Sequence, residues 1–279
     1  MKIHKPATLE EAAGLLAADD GAQCIAGGAT LVAMMNSGVI EPSTLISLAN
    51  IAVLNEITKS TDGSVTIGAA TKHKTVAAFD SFSGAQNIVG IAAGKIAHPP
   101  IRNMGTIGGS VAVGDPATDY PTALLAADAS FNIVGQDSSR SIPADDFFDG
   151  FLSTVLEDGE LIQSVELPVG PEYAVAVYDK IAKIDGDIAI MSVAVVMASL
   201  GAGCDYVRIA VGGCGPTPYR SPEAEAKFIA GDLDVAIEML VAASDPMSDI
   251  RGSAQYRRKV LPRVLHRALA TAQQIGGGK

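Results

Sequence analysis

Two glycine-containing turns, far apart in the sequence, constrain the fold of this chain more than any other feature. The first is Ala26-Gly27-Gly28-Ala29-Thr30-Leu31, and the second runs from Thr106 to Ser110. Glycine lets another backbone or a phosphate group approach closely, and a helix that begins after such a turn presents free N–H groups to an anion. Two such turns can together hold the pyrophosphate of an extended dinucleotide.

The first turn has two interpretations that the residues alone leave open. Gln23 to Ala26 is typical of a buried strand, and Thr30 to Asn36 is typical of a helix that ends near Gly38. The turn between them is either an ordinary strand-to-helix connection or a phosphate-binding turn. It does not fit G-x-G-x-x-G, and no acidic residue follows at the end of a second strand about 20 positions later. A Rossmann domain is therefore disfavoured.

The second turn carries polar groups that suit a nucleotide and few apolar side chains for core packing. Thr106 offers a hydroxyl group, Gly108 and Gly109 offer backbone N–H groups, and Arg102 offers a positive charge. Asp119 can either cap the helix that follows it or accept a hydrogen bond from a ribose hydroxyl. Both roles of Asp119 stay open at this point.

Composition and charge exclude several classes of protein. The 279 residues include 31 acidic and 20 basic side chains, and the resulting charge of -11 disfavours binding to nucleic acid. The nearly apolar segment Ile188 to Leu200 is too short for a membrane-spanning helix, and no apolar segment follows the basic N-terminus, so we expect a cytoplasmic protein. Cys24, Cys204 and Cys214 cannot supply the four thiolates of an iron–sulfur cluster, which we would expect in a partner.

The first part of the chain is predicted to mix helices and strands. A capping box at Thr8 predicts a helix from Leu9 to about Ala18. Pro168 to Pro171 interrupts regular structure and predicts a linker, with a domain boundary near residue 170. Further strands are predicted at Thr44 to Leu48, Val65 to Ile67, Phe131 to Val134 and Glu160 to Leu167, and helices at Thr75 to Phe82 and Gln86 to Ile96.

The part beyond the linker is predicted to form a meander sheet followed by helices. Its strands are expected at Ala174 to Ile184, Ile188 to Leu200 and Tyr206 to Gly212, because these segments are rich in Val and Ile and are separated by Gly or Asp turns. Helices are predicted after Ser221-Pro222, from Leu233 to Ala243 and from Ala254 to Gln274.

Together these segments resemble the FAD-binding medium subunits of the xanthine dehydrogenase and carbon monoxide dehydrogenase family of molybdenum hydroxylases, over nearly the whole chain. In the first part the resemblance rests on both glycine turns, Ile101-Arg102-Asn103, Asp115-Pro116, Asp119 and Phe148-x-Gly150. In the second part it rests on Tyr178-x-Lys180, Asp187, Gly212 to Pro218, and Ser253 to Arg258.

The resemblance implies an α+β fold. A vanillyl-alcohol oxidase (PCMH)-type FAD-binding domain of two subdomains is expected, followed by a smaller domain with a three-stranded antiparallel sheet and helices. We expect the FAD-binding domain over residues 1–170, with subdomains of about 1–57 and 58–170. The C-terminal medium-subunit domain is then expected over residues 171–279.

The resemblance also implies non-covalent FAD and the residues that hold it. The backbone of Ile25 to Leu31 and of Thr106 to Ser110 is implied to hold the pyrophosphate, and Asp119 the ribose and adenine end. Ile162 and Lys180 are implied to lie near the flavin ring. The implied cofactor-binding residues are Ile25, Ala26, Gly27, Gly28, Ala29, Thr30, Leu31, Ile96, Arg102, Thr106, Ile107, Gly108, Gly109, Ser110, Asp115, Asp119, Ile162 and Lys180.

Few other side chains suggest chemistry, and we expect no substrate-converting residue and no metal site. Lys180 is implied to stabilise the anionic reduced flavin electrostatically. Tyr178 is expected either to shield one face of the flavin ring or to pack in the core. His73 and His98 lack clustered partners and are interpreted as surface histidines. Ala29 stands where the family often has a polar residue.

The function implied by the resemblance is electron transfer within a complex. A large subunit would hold molybdenum in molybdopterin cytosine dinucleotide, and a small subunit would hold two [2Fe-2S] clusters. The FAD of this chain would pass electrons to NAD, a quinone or oxygen, in a dimer of heterotrimers. Two alternatives stay open: a stand-alone flavin-dependent oxidase or reductase of the same fold, and a non-catalytic module that has lost its flavin.

Overall fold

The computed structural model describes residues 1–199 and 203–276, in which the strands form three sheets. The strands are β1 (Lys2–His4), β2 (Ala22–Ile25), β3 (Thr44–Ser47), β4 (Ile57–Lys59), β5 (Val65–Gly68), β6 (Ser130–Val134), β7 (Ser139–Pro143), β8 (Leu161–Leu167), β9 (Val175–Ile181), β10 (Met191–Ala198) and β11 (Tyr206–Gly212). The first sheet is parallel with the order β1-β3-β2, the second is antiparallel with the order β4-β5-β8-β6-β7, and the third is antiparallel with the order β11-β10-β9.

The helices lie between the sheets and against the third one. They are α1 (Leu9–Ala17), α2 (Leu31–Asn36), α3 (His73–Ala77), α4 (Asn87–Lys95), α5 (Pro99–Met104), α6 (Ile107–Val111), α7 (Asp119–Ala126), α8 (Ala144–Phe147), α9 (Pro222–Ile229), α10 (Leu233–Ala242) and α11 (Ala254–Gly276). The predicted start of α1 is confirmed, because the Thr8 hydroxyl accepts the Glu11 N–H at 3.2 Å and caps the helix.

The helix predicted from Thr75 to Phe82 is wrong in its extent, since α3 ends at Ala77. The loop that follows is held by other contacts. The ammonium of Lys59 donates to the Ser81 carbonyl at 2.8 Å, and Phe79 packs edge-on against Phe82 with ring centroids 4.8 Å apart. These contacts join parts of the chain that local periodicity does not relate.

The third sheet confirms the predicted meander, and its central strand is apolar because both of its faces are covered. All eight residues of β10 are buried. Ala194, Val196 and Ala198 pack with the core of the first part, whereas Val193 and Val195 pack with α9, α10 and α11. A strand that is covered on both faces has no position for a polar, solvent-facing side chain. Leu200, the predicted end of this strand, lies outside the described residues.

The architecture confirms the predicted mixture of helices and sheets and the three-stranded antiparallel sheet of the C-terminal part. Residues Pro168 to Pro171 connect β8 to β9 without helix or strand, as a linker requires. The domain boundary near residue 170 stays a prediction. Across residues 1–199 and 203–276, no helix combines the length and apolar character needed to span a bilayer.

Arg220 ties the C-terminal part to the first part through a partly buried ionic network. Its guanidinium donates to the Leu125 carbonyl at 3.2 Å and to Asp128 at 2.6 Å, and it pairs with Glu225 at 2.9 Å. Arg208 adds a second pair with Asp128 at 2.8 Å. The network therefore joins the end of α7 to β11 and α9.

We predict that Arg220→Ala lowers the free energy of unfolding by about 3 kcal/mol, because Glu225 would be left buried without its main cation. Equilibrium urea unfolding measures this change. Lys227→Ala is the control, since Lys227 forms an exposed pair with Asp232 at 3.7 Å and should cost less than about 0.5 kcal/mol. Equal losses in the two variants would contradict the role of the network.

Candidate functional site

The first glycine turn connects β2 to α2 and leaves backbone donors free. Gly28 has a φ of +74°, in the left-handed region that favours glycine. Within the described part of the chain, no acceptor takes the backbone N–H groups of Gly27, Gly28, Ala29 or Thr30. Several adjacent free N–H groups can bind an anionic group such as a pyrophosphate.

The second glycine turn, in contrast, is stabilised from within the chain. Thr106 caps α6, and its hydroxyl accepts the Gly109 N–H at 3.2 Å. The N–H groups of Ile107, Gly108 and Ser110 donate to backbone carbonyl oxygens at 2.8 to 3.0 Å. Most of the donors that the sequence suggests for this turn are therefore engaged, and the first turn has more free donors.

Gly27 brings the two turns into backbone contact. A Cβ atom at Gly27 would overlap the carbonyl oxygen of Met104 and lie 3.0 Å from the Cα atom of Gly105. Gly105 itself packs against the imidazole of His73, which leaves no room for a side chain there either. Glycine at both positions is what allows the first turn to lie directly beside the start of the second.

A cleft of about 380 Å³ is lined by residues from both turns, and its volume is within the usual size range of ligand sites. Ala26 lines it from the first turn, Gly108 and Gly109 line it from the second, and Ile162 lines it from β8. The structure thus places four of the predicted cofactor-binding residues around one cleft. Further lining comes from apolar Leu16, Leu48 and Leu161 and from acidic Asp20, Glu157 and Asp158.

Arg102 and Ile96 form a structural contact outside this cleft. The guanidinium of Arg102 donates to the carbonyl oxygens of Ile96 at 2.8 Å and Ala97 at 2.7 Å. Ala97 has a φ of +43°, which is costly for a residue with a side chain, and these hydrogen bonds help to hold it. At least one nitrogen of Arg102 is therefore engaged within the chain.

Asp119 faces the C-terminal sheet. It is the first residue of α7, whose N-cap is Thr118, so the proposed capping role of Asp119 is wrong. Its carboxylate accepts the Tyr178 hydroxyl at 2.8 Å and pairs with the Lys180 ammonium at 3.0 Å. Burial raises the pKa of Asp119 above its ordinary value, whereas Lys180 and Tyr178 act in the opposite direction.

Lys180 and Tyr178 are both buried beside Asp119 and do not line the cleft around Ile162. The Tyr178 side chain is 3% exposed, which matches the alternative of a core aromatic. Lys180 also donates to the Lys95 carbonyl at 2.8 Å.

Asp115 lies on the same segment as Asp119 and is also held within the chain. Its carboxylate accepts the Ala117 N–H at 2.9 Å and lies 3.5 Å from the Arg251 guanidinium.

His73 is the functional-site neighbour that sequence reasoning missed. The sequence predicts a surface histidine, but His73 is 4% exposed, and its Nδ1 lies 3.3 Å from the Tyr120 hydroxyl. Burial, together with the charge of Arg102, lowers the pKa of His73 to about 4. His98 is exposed, as expected. Among the described residues, no group of three or more His, Cys, Asp or Glu side chains could hold a metal ion.

Comparison with known families accounts for this arrangement. Residues 1–170 match the FAD binding domain in molybdopterin dehydrogenase, and residues 176–272 match the CO dehydrogenase flavoprotein C-terminal domain. The chain belongs to the FAD-binding medium subunits of the molybdenum hydroxylase family. The medium subunit is thus part of an oxidoreductase family, and the predicted PCMH-type fold class is confirmed.

Individual relatives match the medium subunit along nearly its whole length. The 6-hydroxypseudooxynicotine dehydrogenase complex subunit alpha of Paenarthrobacter nicotinovorans is 37% identical, with 95% of this chain and 92% of that protein covered. The carbon monoxide dehydrogenase medium chain of Afipia carboxidovorans is 33% identical, with 97% and 96% covered. The structure of carbon monoxide dehydrogenase from Hydrogenophaga pseudoflava superposes with a TM-score of 0.93 at 32% identity, covering 99% of this chain and 98% of that one.

We predict that Gly28→Ala weakens FAD binding about tenfold or more, because a side chain at this φ displaces N–H groups that suit a charged pyrophosphate. FAD titration monitored by flavin fluorescence measures the dissociation constant. Gly38→Ala is a matched control, since Gly38 has a φ of +69° and open space around it. The prediction fails if both variants bind FAD like the wild type, or if both weaken it equally.

We predict that His73 makes the medium subunit less stable in acid. The pKa of His73 falls from 6.5 to about 4 in the fold, so the unfolded chain binds the extra proton first. Neutral His73 makes its full contribution to the free energy of unfolding above pH 6.5. This contribution is lost as the pH falls towards 4, by up to about 3 kcal/mol. Urea unfolding between pH 7 and 4.5 should show a shallower pH dependence in His73→Gln than in the wild type. Identical slopes in His73→Gln and wild type would contradict this assignment.

Proposed function

We propose that this medium subunit holds FAD as the electron link between iron–sulfur clusters of a partner and an external acceptor. The observation that carries the proposal is the row of free N–H groups at Gly27 to Thr30 beside the cleft at Ile162. Backbone donors suit a pyrophosphate, and an adjoining cleft with apolar walls suits a flat ring system. Bound FAD would supply reversible two-electron redox chemistry.

The charges around the cleft favour one orientation of the cofactor. The carboxylates of Asp20, Glu157 and Asp158 can accept hydrogen bonds from amino and hydroxyl groups, but they repel phosphate and a reduced, anionic flavin. The adenosine half therefore fits the cleft at Ile162, with the pyrophosphate at the first turn. This orientation differs from the one that the family resemblance implies, in which Ile162 lies near the flavin ring.

The clusters and the molybdenum centre belong, in this proposal, to partner chains. The three cysteines cannot form a four-thiolate site, and burial raises the pKa of Cys24 to about 11 and of Cys214 to about 12, which disfavours the thiolates that metals bind. A small subunit would hold two [2Fe-2S] clusters. A large subunit would hold molybdenum in molybdopterin cytosine dinucleotide, in a dimer of heterotrimers. The proposed compartment is the cytoplasm.

In this proposal, the residues of this chain bind FAD and exclude water from part of it. The first turn holds the pyrophosphate, the second turn fixes the position of the first, and Ile162 with its apolar neighbours excludes water from the adenosine half. The substrate would be oxidised on the large subunit. The relatives are named for substrates as different as carbon monoxide and 6-hydroxypseudooxynicotine, so we propose that partners determine the substrate.

We predict that the natively purified protein carries FAD and co-purifies with two chains that contain molybdenum and iron. Absorbance spectra and metal analysis, before and after addition of candidate substrates, test this directly. Substrate should bleach the flavin only when the partners are present, and an acceptor should restore it. Bleaching of the isolated yellow chain by an organic substrate would instead identify a stand-alone flavin enzyme. A native complex without flavin absorbance would identify a module that has lost its cofactor.

A further inference from the structure

His73 holds the peptide that leads into the second glycine turn. Its backbone N–H donates to the Gly105 carbonyl oxygen at 3.0 Å, and its imidazole packs against the same glycine. A Cβ atom at Gly105 would overlap Nε2 of this ring and lie 2.8 Å from its Cδ2 atom. The imidazole therefore fills the space into which the Gly105 peptide could otherwise move.

The same stretch of backbone supports the first turn. A Cβ atom at Gly27 would overlap the Met104 carbonyl oxygen and lie 3.0 Å from the Gly105 Cα atom, so the two backbones are in contact. Gly27 also begins the run of residues, up to Thr30, whose N–H groups have no acceptor within the described part of the chain. A displacement of Gly105 is therefore passed to these donors by direct contact.

The His73 ring is buried, and its hydrogen bonding is incomplete. Its Nδ1 lies 3.3 Å from the Tyr120 hydroxyl, whereas Nε2, the nitrogen that faces Gly105, has no hydrogen-bond partner among the described residues. A protonated imidazole carries an N–H group on both nitrogens and needs an acceptor for each. Protonation in this place would thus leave a buried charge with at most one acceptor.

The charged groups around the ring disfavour a proton on it. Arg102 of α5 acts on the ring through its positive charge. The other charged side chains of its own segment and of α4 are exposed lysines, namely Lys72, Lys74 and Lys95. In α7, burial raises the pKa of Tyr120 far above its ordinary value and keeps the phenol neutral, while Asp119 pairs with Lys180 at 3.0 Å. Burial and Arg102 accordingly lower the pKa of His73 to about 4.

We propose that His73 is a positioning residue that makes FAD binding sensitive to acid. In its neutral form the imidazole keeps Gly105 against Gly27, and the first turn keeps the arrangement that suits a pyrophosphate. Protonation favours conformations in which the ring leaves its buried place, and the first turn then loses its support. The inference rests on the proposed function and gives a role in FAD binding to a side chain that does not itself line the cleft.

The coupling acts in both directions. If protonation of His73 weakens FAD binding, bound FAD makes His73 harder to protonate by the same factor. The pKa of the ring is about 4 when it is packed against Gly105 and returns to 6.5 when it is released. Full coupling between these two states makes FAD binding up to about twentyfold weaker at pH 5 than at pH 7.

The first test is the dissociation constant of FAD for the deflavinated full-length chain at pH 7 and pH 5, measured by flavin fluorescence. We expect binding by the wild type to be about ten- to twentyfold weaker at pH 5. His73→Gln keeps a polar side chain but has no proton to gain, so its affinity should differ by less than about twofold between the two pH values. Circular dichroism at both pH values separates the loss of FAD from unfolding.

A matched control comes from a histidine outside the site. His266 lies exposed on α11, and His266→Gln should bind FAD like the wild type at pH 7 and at pH 5.

A second measurement keeps the inference falsifiable if His73→Gln does not fold. The chain has four histidines, and a variant with glutamine at the other three leaves the Cε1–H group of His73 as a single NMR signal. The pH at which this signal titrates is measured with and without saturating FAD. Bound FAD should lower it, because the packed ring resists protonation.

Three results would overturn the inference. The first is equal FAD affinity of the wild type at pH 7 and pH 5. The second is a pH dependence that persists in His73→Gln, which would assign it to the carboxylates of the cleft. The third is a titration of His73 that FAD does not move. Failure of the proposed function is distinguishable, because the wild-type chain would then bind no FAD even at pH 7.

Discussion

The backbone contact between Gly27 and the Met104-Gly105 peptide is the constraint on which the candidate site depends. Because neither Gly27 nor Gly105 has room for a Cβ atom, the first turn lies against the residues that lead into the second. The imidazole of His73 packs on Gly105 and fixes that peptide from within the core. Ala26, which precedes Gly27, lines the cleft at Ile162, and the N–H groups of the first turn have no acceptor within the described part of the chain.

The C-terminal sheet constrains a second segment of the first part, between α6 and α7. One face of β10 packs on the core of the first part and the other on the C-terminal helices, so the sheet acts as a shared layer. Its hydrogen bonds and the Asp119–Lys180 pair act on the segment that follows α6. Buried charge pairs add little net stability on average, but removal of one partner is costly because the other charge stays buried without compensation.

The sequence predicts the fold wherever a local pattern is compatible with only one structure. The uninterrupted apolar character of β10, the cap at Thr8 and the glycine turns all belong to this class. The burial of His73 cannot be predicted from the sequence, because its partner Tyr120 lies 47 residues away. The same holds for Lys180, whose pairing with Asp119 spans 61 residues. The extent of α3 was missed for a similar reason, since Lys59 holds the loop that follows it.

The central claim is that FAD occupies the cleft that residues of both turns line. Cys24 lines that cleft and is half-buried, Cys214 is buried, and Cys204 can be replaced by serine to leave one accessible thiol. The most direct measurement is the rate of maleimide labelling of Cys24 in Cys204→Ser, with and without saturating FAD. The account predicts strong protection by FAD and none by an equal concentration of riboflavin, which lacks the pyrophosphate and adenosine. Equal labelling rates, in a protein shown to hold stoichiometric FAD, would contradict it and place the cofactor elsewhere.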